Sequence, residues 1–249
     1  MIDLLQQLIN GLGRGANYAL WAVGYGMVFQ VLGLMHFAHG DTILLGLYIA
    51  FSLLVTMMLP APVAIVVVIV VGALLAALVQ RAVYHPLVKI GNTAAAFIAA
   101  LGAAYILRNV ATLIWGRQSL SFPQIIPSEV VEIGPLRTNS MPIIALAVAL
   151  VIVAAFSLFL KGSRHGQAIV AVGQDRSLSG LMGINVNRVV IVIYMISGAI
   201  GVAGGLMFIS QFSNLNATVG FFITMKAFFA AIIGGLGRLE GALLGGLIL

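Results

Sequence analysis

Two histidines and an aspartate lie close together near the start of the sequence, in the segment MHFAHGD that contains His36, His39 and Asp41. Imidazole and carboxylate groups are common metal ligands, and a membrane-embedded enzyme that uses these three residues is a further alternative. The two other histidines of the chain fall in separate loops. We therefore favour a helix-ending turn at the membrane boundary, in which Asp41 is the N-cap or an early acid of the next helix.

A single arginine, Arg108, interrupts the apolar run that ends at Trp115. Charged side chains inside a membrane are costly and often mark function. Arg108 lies only about a turn and a half before the end of the run, so its side chain can also reach the interface by snorkelling. The sequence leaves these two alternatives open. Lys226 lies near the outer start of a later run, and for this residue we favour snorkelling to the interface.

The sequence excludes several kinds of chemistry. It contains no cysteine, which rules out disulfides, thiol catalysis and thiolate metal sites. The glycine-rich run GGLGRLEG over residues 234–241 lacks the lysine and the following serine or threonine of a phosphate-binding loop, so we interpret it as a tight turn between helices. The apolar runs hold too few ionisable residues for a proton or sodium relay. If the protein pumps a solute, the energy must therefore come from elsewhere.

These residues are positioned by long apolar segments. The chain is 62% hydrophobic and 7% charged, against roughly 25% charged in soluble domains, so lipid must solvate most of its exterior. Long continuous runs favour helices over a barrel. We predict an all-α fold, a polytopic transmembrane helical bundle that forms one domain over residues 1–249 with about eight spans. The predicted spans are Gly15 to Leu34, Thr42 to Leu59, Ala61 to Gln80, Thr93 to Trp115, Met141 to Leu160, Val189 to Gln211, Phe221 to Leu236, and an eighth that begins near Gly241 and is cut short at Leu249.

The loops between these runs predict the orientation of the chain, because basic residues accumulate in cytoplasmic loops. Residues 161–188 contain Lys161, Arg164, Arg176 and Arg188 against the single acid Asp175. We therefore predict a cytoplasmic loop there. Residues 116–140 carry balanced charges and three prolines, which predicts an extended extracytoplasmic loop. Counting spans backward from these loops places the N-terminus outside. The alternative is that the short MHFAHGD connection belongs to a broken or re-entrant helix, which would change the parity.

Small residues recur at four-residue spacing in several runs, and such faces let membrane helices approach closely. We favour packing within a single bundle; the alternative is that these faces border the translocation path or a subunit interface. The candidates for pathway or helix packing are His36, His39, Gly40, Asp41, Arg108, Gly201 and Gly205.

The predicted inner loop has the pattern of a short amphipathic helix followed by a second helix start. It is too polar to span a membrane and too apolar to be a simple linker. We expect its apolar stripe, formed by Ala168, Val172, Leu178 and Leu181, to bind another surface.

Four segments resemble the permease subunits of branched-chain amino-acid ABC importers. They occur in the family's order and cover nearly the whole chain. They are GLGRGANYALWAVGYGMVFQVLGLMHFAHGD at the start, GQAIVAVGQDRSLSGLMGINVNRV in the inner loop, SGAIGVAGGLMFISQ after it, and FFITMKAFFAAIIGGLGRLEGALLGGLIL at the end.

The resemblance implies a multi-pass transport subunit of the bacterial inner membrane rather than an enzyme. It would pair with a second permease subunit and sit on two cytoplasmic ATPase subunits, which bind the ATP, so no cofactor and no nucleic acid is expected on this chain. It would receive a branched-chain or other neutral amino acid from a periplasmic or lipid-anchored substrate-binding protein. The inner loop would couple to the ATPase through Gly166, Ala168, Ala171, Gly173, Asp175, Gly180, Gly183 and Asn185.

The chain departs from the family in the first half of that loop. It has Gln167, Ile169 and Val170 where members commonly carry one or more arginines, so docking would be weaker or tuned to a particular ATPase. The alternative function is an ATP-independent channel or facilitator for a small neutral solute such as urea or an amide, which the scarcity of charge inside the spans allows.

Overall fold

The computed structural model describes residues 2–90, 93–125, 130–133 and 136–249. The predicted all-α helical bundle is confirmed. Its helices are α1 (Ile2–Leu32), α2 (His39–Phe51), α3 (Ala61–Val79), α4 (His85–Ile90), α5 (Thr93–Trp115), α6 (Ser140–Gly162), α7 (Arg164–Gln174), α8 (Arg176–Leu181), α9 (Val186–Phe212), α10 (Val219–Gly234) and α11 (Leu239–Ile248). Two π-helical segments, Ser52–Thr56 and Gln80–Tyr84, continue α2 and α3.

The number of spans differs from the eight expected. Within the described residues, five helices are long and apolar enough to cross a membrane. A sixth span results if α10 and α11 are counted as one bent pair, because their axes turn by 114° at a short break. The predicted tight turn over residues 234–241 is present, but it forms a sharp bend between two short helices, so the predicted count is not confirmed.

Helix α1 lies at the centre of the bundle and packs against α6, α9, α10 and α11. Its C-terminal part is almost fully buried, with Trp21 and Tyr25 both 0% exposed. Polar and small residues therefore face protein along this helix and not lipid. The 31 residues of α1 are enough to span a membrane. Its polar residues make it less apolar than the five helices counted above, and burial in protein explains why it can carry them.

The two long loops lie at opposite ends of α1. Near its start, Gly13 packs against Pro142 at the beginning of α6, and the helix contacts strand β3 (Leu136–Asn139) of the predicted outer loop. Near its end, Gln30 contacts Gly173 of the predicted inner loop. This arrangement agrees with the two loops being on different sides of the membrane; which side is cytoplasmic stays a prediction.

The predicted outer loop is extended, as its prolines indicate, although Pro127 and Pro135 lie outside the described residues. Strands β2 (Val130–Ile133) and β3 form an antiparallel hairpin. Strand β1 (Leu120–Ser121) pairs with β4 (Asn214–Leu215), which follows α9. The second pairing ties the end of α9 to the end of α5.

Glycines bring the central helices into backbone contact. A Cβ atom added to Gly198 of α9 would meet the Cβ of Ala76 at 2.6 Å and also the carbonyl oxygen of Gly72 on α3. On the neighbouring face of α9, Gly201 and Gly205 pack against Ile43 of α2. At Gly198 only a residue without a side chain fits, because the atoms in the way include the backbone of α3.

We expect Gly198→Val to lower the free energy of unfolding by about 1–3 kcal/mol, because overpacking forces α3 and α9 apart. Thermal or denaturant unfolding in detergent micelles measures the loss. Gly102→Val on α5 is the matched control, since a Cβ there has nothing within 4 Å. Equal losses in the two variants would contradict the packing argument.

Candidate functional site

Asp41 and Arg108 form a bidentate ion pair. The Arg108 Nε donates to Asp41 Oδ1 at 2.9 Å, and Nη2 donates to Oδ2 at 3.0 Å. The Asp41 side chain is 2% exposed and that of Arg108 is 23% exposed. Charge-assisted bonds of this geometry are among the stronger ones in proteins. Arg108 is therefore neither a lone charge nor a snorkelling one, because its charge is compensated by an acid from a distant part of the sequence.

The pair is buried inside the bundle at the start of α2. Asp41 is an early acid of this helix, as the sequence indicated, and the position of the turn relative to the membrane stays a prediction. Helix α2 begins at His39, whose ring faces Gly24 of α1. Gly24 is eight residues from the end of α1, or about 12 Å along the helix axis. Ala38 is the N-cap residue and makes no side-chain capping bond. Asp41 belongs to the first turn, where the helix dipole favours a negative charge.

Helices α2 and α10 cross near their starts, at the first turn of α2 and the first two turns of α10. The Gly40 N–H donates to the Thr224 hydroxyl at 3.0 Å, which satisfies one of the free amide groups at the start of α2. A Cβ added to Gly40 would meet the Thr224 amide nitrogen at 2.6 Å. A Cβ added to Gly220 would meet Asp41 Oδ1 at 2.6 Å. Gly40 is thus a helix-packing residue.

The two histidines lie in a buried cluster with tyrosines. His36 Nδ1 shares a hydrogen bond of 2.7 Å with the Tyr84 hydroxyl, and the His36 ring lies 4.9 Å from that of Tyr194. His39 Nδ1 lies 3.5 Å from the Ser197 hydroxyl. Among the described residues, no group of three His, Cys, Asp or Glu side chains is arranged to hold a metal ion. The tyrosines were not predicted from the sequence, because they come from distant helices.

Lys226 contacts aromatic rings. Its ammonium group lies 5.1 Å from the ring centre of Tyr18 and 5.6 Å from that of Phe222. Rings of this kind attract a cation through their electron-rich faces.

The predicted inner loop folds into the two short helices α7 and α8. Ser163 caps α7 by accepting a bond of 2.9 Å from the Gly166 amide. Asp175 caps α8 in the same way, accepting from the Leu178 amide at 2.9 Å. Asn185 caps α9 with a bond of 3.1 Å from Arg188. Asp175 and Asn185 therefore have a structural role at the helix starts.

The small residues of this loop fall into two groups. Gly166 packs against the end of α6 and Gly173 against Gln30 of α1, so both hold the loop to the bundle. Gly180 and Gly183 have nothing within 4 Å of an added Cβ, and Gly183 has a positive φ of 82°. Ala168 and Ala171 are half-buried.

The predicted apolar stripe divides between two surfaces. Val172 is buried against the bundle, as is Ile169 at 3% exposure. The apolar Ile169 suits this buried position, because an arginine here would have to give up the hydration of its charge. Leu178 and Leu181 point outward, joined by Met182, and the last two are both 82% exposed. An exposed apolar patch of this kind at a loop is typical of a protein-binding surface.

Arg176 connects this loop to the bundle, and the sequence did not single it out. Its Nε donates to the Val31 carbonyl oxygen in the last turn of α1 at 2.6 Å. Burial lowers the pKa of the Arg176 guanidinium, although arginine stays charged in proteins. A partner 145 positions away leaves no local sequence signal.

The fold and site together define a polytopic membrane subunit. An ion pair is buried inside its helical bundle, and a pair of short helices with an exposed apolar tip lies at one end of that bundle. These are the features of a transport subunit that binds another protein.

Comparison with known proteins identifies the family. Residues 7–249 match the family described as the branched-chain amino acid transport system, permease component. The permease protein BraD of Pseudomonas aeruginosa is 33% identical over 98% of this chain and 83% of its own length. The permease protein LivH of Escherichia coli K12 is 32% identical over the same shares. No solved structure matches. The chain belongs to this permease family.

The ion pair can be tested by a double-mutant cycle. We expect Asp41→Asn and Arg108→Met each to destabilise the protein by about 3–5 kcal/mol, because each leaves a buried charge unpaired. The double variant should lose less than the sum of the two losses, by a coupling of about 0.5–3 kcal/mol. The free energy of unfolding in detergent is measured for the wild type, the two single variants and the double variant. Strictly additive losses would show that the ion pair contributes nothing to stability.

Proposed function

We propose that this chain is the permease subunit of an ATP-driven importer for branched-chain or other neutral amino acids. It forms part of the translocation pathway in the bacterial inner membrane. A second permease subunit, two ATPase subunits and a substrate-binding protein complete the importer. ATP binds to the ATPase subunits and not to this chain.

The conformation of residues 161–188 carries this proposal. Helices α7 and α8 project from the bundle on a base formed by Gly166, Gly173 and Val172, and they expose Leu178, Leu181 and Met182. The Arg176 bond to Val31 joins the exposed tip to the central helix α1. A force applied to the tip by a bound protein therefore reaches the helix around which the bundle is packed.

These features favour the importer over an ATP-independent facilitator. A facilitator needs a pathway but has no use for a docking surface linked to its central helix. The names of the relatives also support an amino acid as substrate, since BraD and LivH are described as high-affinity branched-chain amino acid transport permeases.

Purification and uptake together test the proposal. Tagged protein from its native host should bring down the ATPase and a second permease. Proteoliposomes of this complex should accumulate leucine only with the binding protein outside and ATP at the ATPase subunits. Uptake that proceeds without ATP would favour the facilitator.

Gly180→Leu should block docking without unfolding the permease. The added side chain has free space in the isolated subunit but projects from the surface that we assign to the ATPase. We expect the melting temperature of the variant to equal that of the wild type. The amount of ATPase that co-purifies should fall about tenfold, which corresponds to a loss of roughly 1.4 kcal/mol in binding free energy. Gly102→Leu on the bundle exterior is the control, and ATPase capture that is unaffected by Gly180→Leu would contradict the docking surface.

Arg176→Ala should uncouple ATP hydrolysis from uptake, because it removes the link between the docking tip and α1. We expect the complex to assemble and hydrolyse ATP, while the amount of leucine imported per ATP falls at least about tenfold. Arg188→Ala is the matched control, since Arg188 is an exposed arginine of the same loop. Unchanged stoichiometry in Arg176→Ala would show that the bond is not part of the coupling.

A further inference from the structure

Two cavities lie along one groove between α6 and α9. These helices touch each other at few points, because each packs mainly against α1 or α3. One cavity lies at the end of the groove near the predicted outer loop, and the other lies deeper along the same helices. Ser210 of α9 lines both cavities. The consecutive residues Gln124 and Ile125 line the first and the second, so the two cavities adjoin each other.

The deeper cavity is apolar. It has a volume of about 250 Å³ between α3, α6 and α9, and its walls are side chains such as Ile69, Val148 and Leu206. The hydroxyl of Ser210 already donates to the Leu206 carbonyl oxygen at 2.7 Å. An apolar space of this kind does not hold water, but a hydrocarbon chain fits it.

The helices on both sides of the deeper cavity present apolar side chains to lipid. Val66 on α3 is 62% exposed and Val151 on α6 is 66% exposed. A chain from the surrounding membrane can therefore reach the cavity without crossing a polar surface.

The outer cavity is polar and cationic. It has a volume of about 220 Å³, and its lining includes Arg14, Asn10 and Gln124. The exposed Arg14 side chain has its guanidinium 5.7 Å from the ring centre of Phe212, and it forms no ion pair in the described part of the chain. Arg14 also borders the opening beside Lys226, so a second cation lies at this end of the bundle. This surface favours an anion such as a phosphate group.

The two cavities together span about the depth of one lipid leaflet. Met141 lines the outer cavity and Ile152 the deeper one, and α6 rises about 16 Å between them. Half of a hydrocarbon core of about 30 Å is about 15 Å. A cationic pocket followed by an apolar crevice of this length matches an amphiphile with an anionic head and a long chain.

We propose that this groove binds an anionic phospholipid, with its phosphate at Arg14 and one acyl chain between α3, α6 and α9. The lipid comes from the outer leaflet, and only this choice of leaflet rests on the proposed function. The bound chain fills the gap that α6 leaves beside α9. It therefore supports α9, the helix that directly follows the predicted inner loop.

Binding is tested on the full chain in detergent, together with the subunits that co-purify with it. We expect radiolabelled dioleoyl-phosphatidylglycerol to be retained and to be displaced by the unlabelled lipid. Phosphatidylcholine with the same chains should compete about tenfold more weakly, because its choline group brings another cation close to Arg14 and Lys226. Equal competition by the two lipids would overturn the assignment of the head group to Arg14.

The contribution of the acyl chain is tested with competitors that have none. Glycerol phosphate carries the anionic group alone, and leucine is the alternative ligand with a carboxylate. Neither should displace the labelled lipid, because neither fills the apolar cavity. Displacement by either compound at the concentrations at which the unlabelled lipid competes would overturn the assignment of the deeper cavity.

Two substitutions locate the bound lipid. Arg14→Gln removes the cation and should make the two lipids compete equally, whereas Arg117→Gln in the predicted outer loop should not. Val148→Phe fills the deeper cavity and should weaken binding of both lipids about tenfold or more. Leu150→Phe is its matched control, since Leu150 is 48% exposed on the same helix and does not line the cavity.

Wild-type binding and selectivity in Arg14→Gln would overturn the proposal, even if Val148→Phe failed to fold. A chain that retains the lipid in this groove but imports no amino acid would contradict the proposed function alone. Import by a chain that retains no such lipid would overturn this site alone.

Discussion

The start of α2 inside the bundle is the constraint on which the rest of the structure depends. A helix that begins away from water exposes amide groups that lipid cannot satisfy. Here Thr224 of α10 accepts from Gly40, and Asp41 brings a negative charge to the positive end of the helix. That charge requires a counter-ion, which Arg108 of α5 provides. Helices α2, α5 and α10 are thereby fixed at one place.

Local sequence patterns predicted much of this molecule. The apolar runs coincide with the long helices, and the inner loop has the two short helices that its amphipathic pattern indicated. The caps at Asp175 and Asn185 were not predicted, although each follows a rule that links a residue to the third residue after it. Such features depend on neighbours in the chain, so one sequence is enough to find them.

The features that were missed depend on distant partners. Arg108 and Asp41 are 67 positions apart, and no spacing rule joins them. The bond from Arg176 to Val31 likewise needs the folded bundle. The turn between α10 and α11 was predicted from its glycines, but the hydropathy of the two runs does not indicate that their axes differ by 114°.

The glycine contacts have a mechanical consequence. Where Gly72 meets Gly198, or Gly40 meets Gly220, backbone lies close to backbone, with the side chains of Val202 and Thr224 packed beside it. Such a contact sets the distance between two helix axes, because a larger residue would force them apart. Any small sliding of one helix along another, as in shear motions, has to keep this distance. The ion pair and the Arg176 bond join helices at particular atoms, so they limit how far such sliding can go.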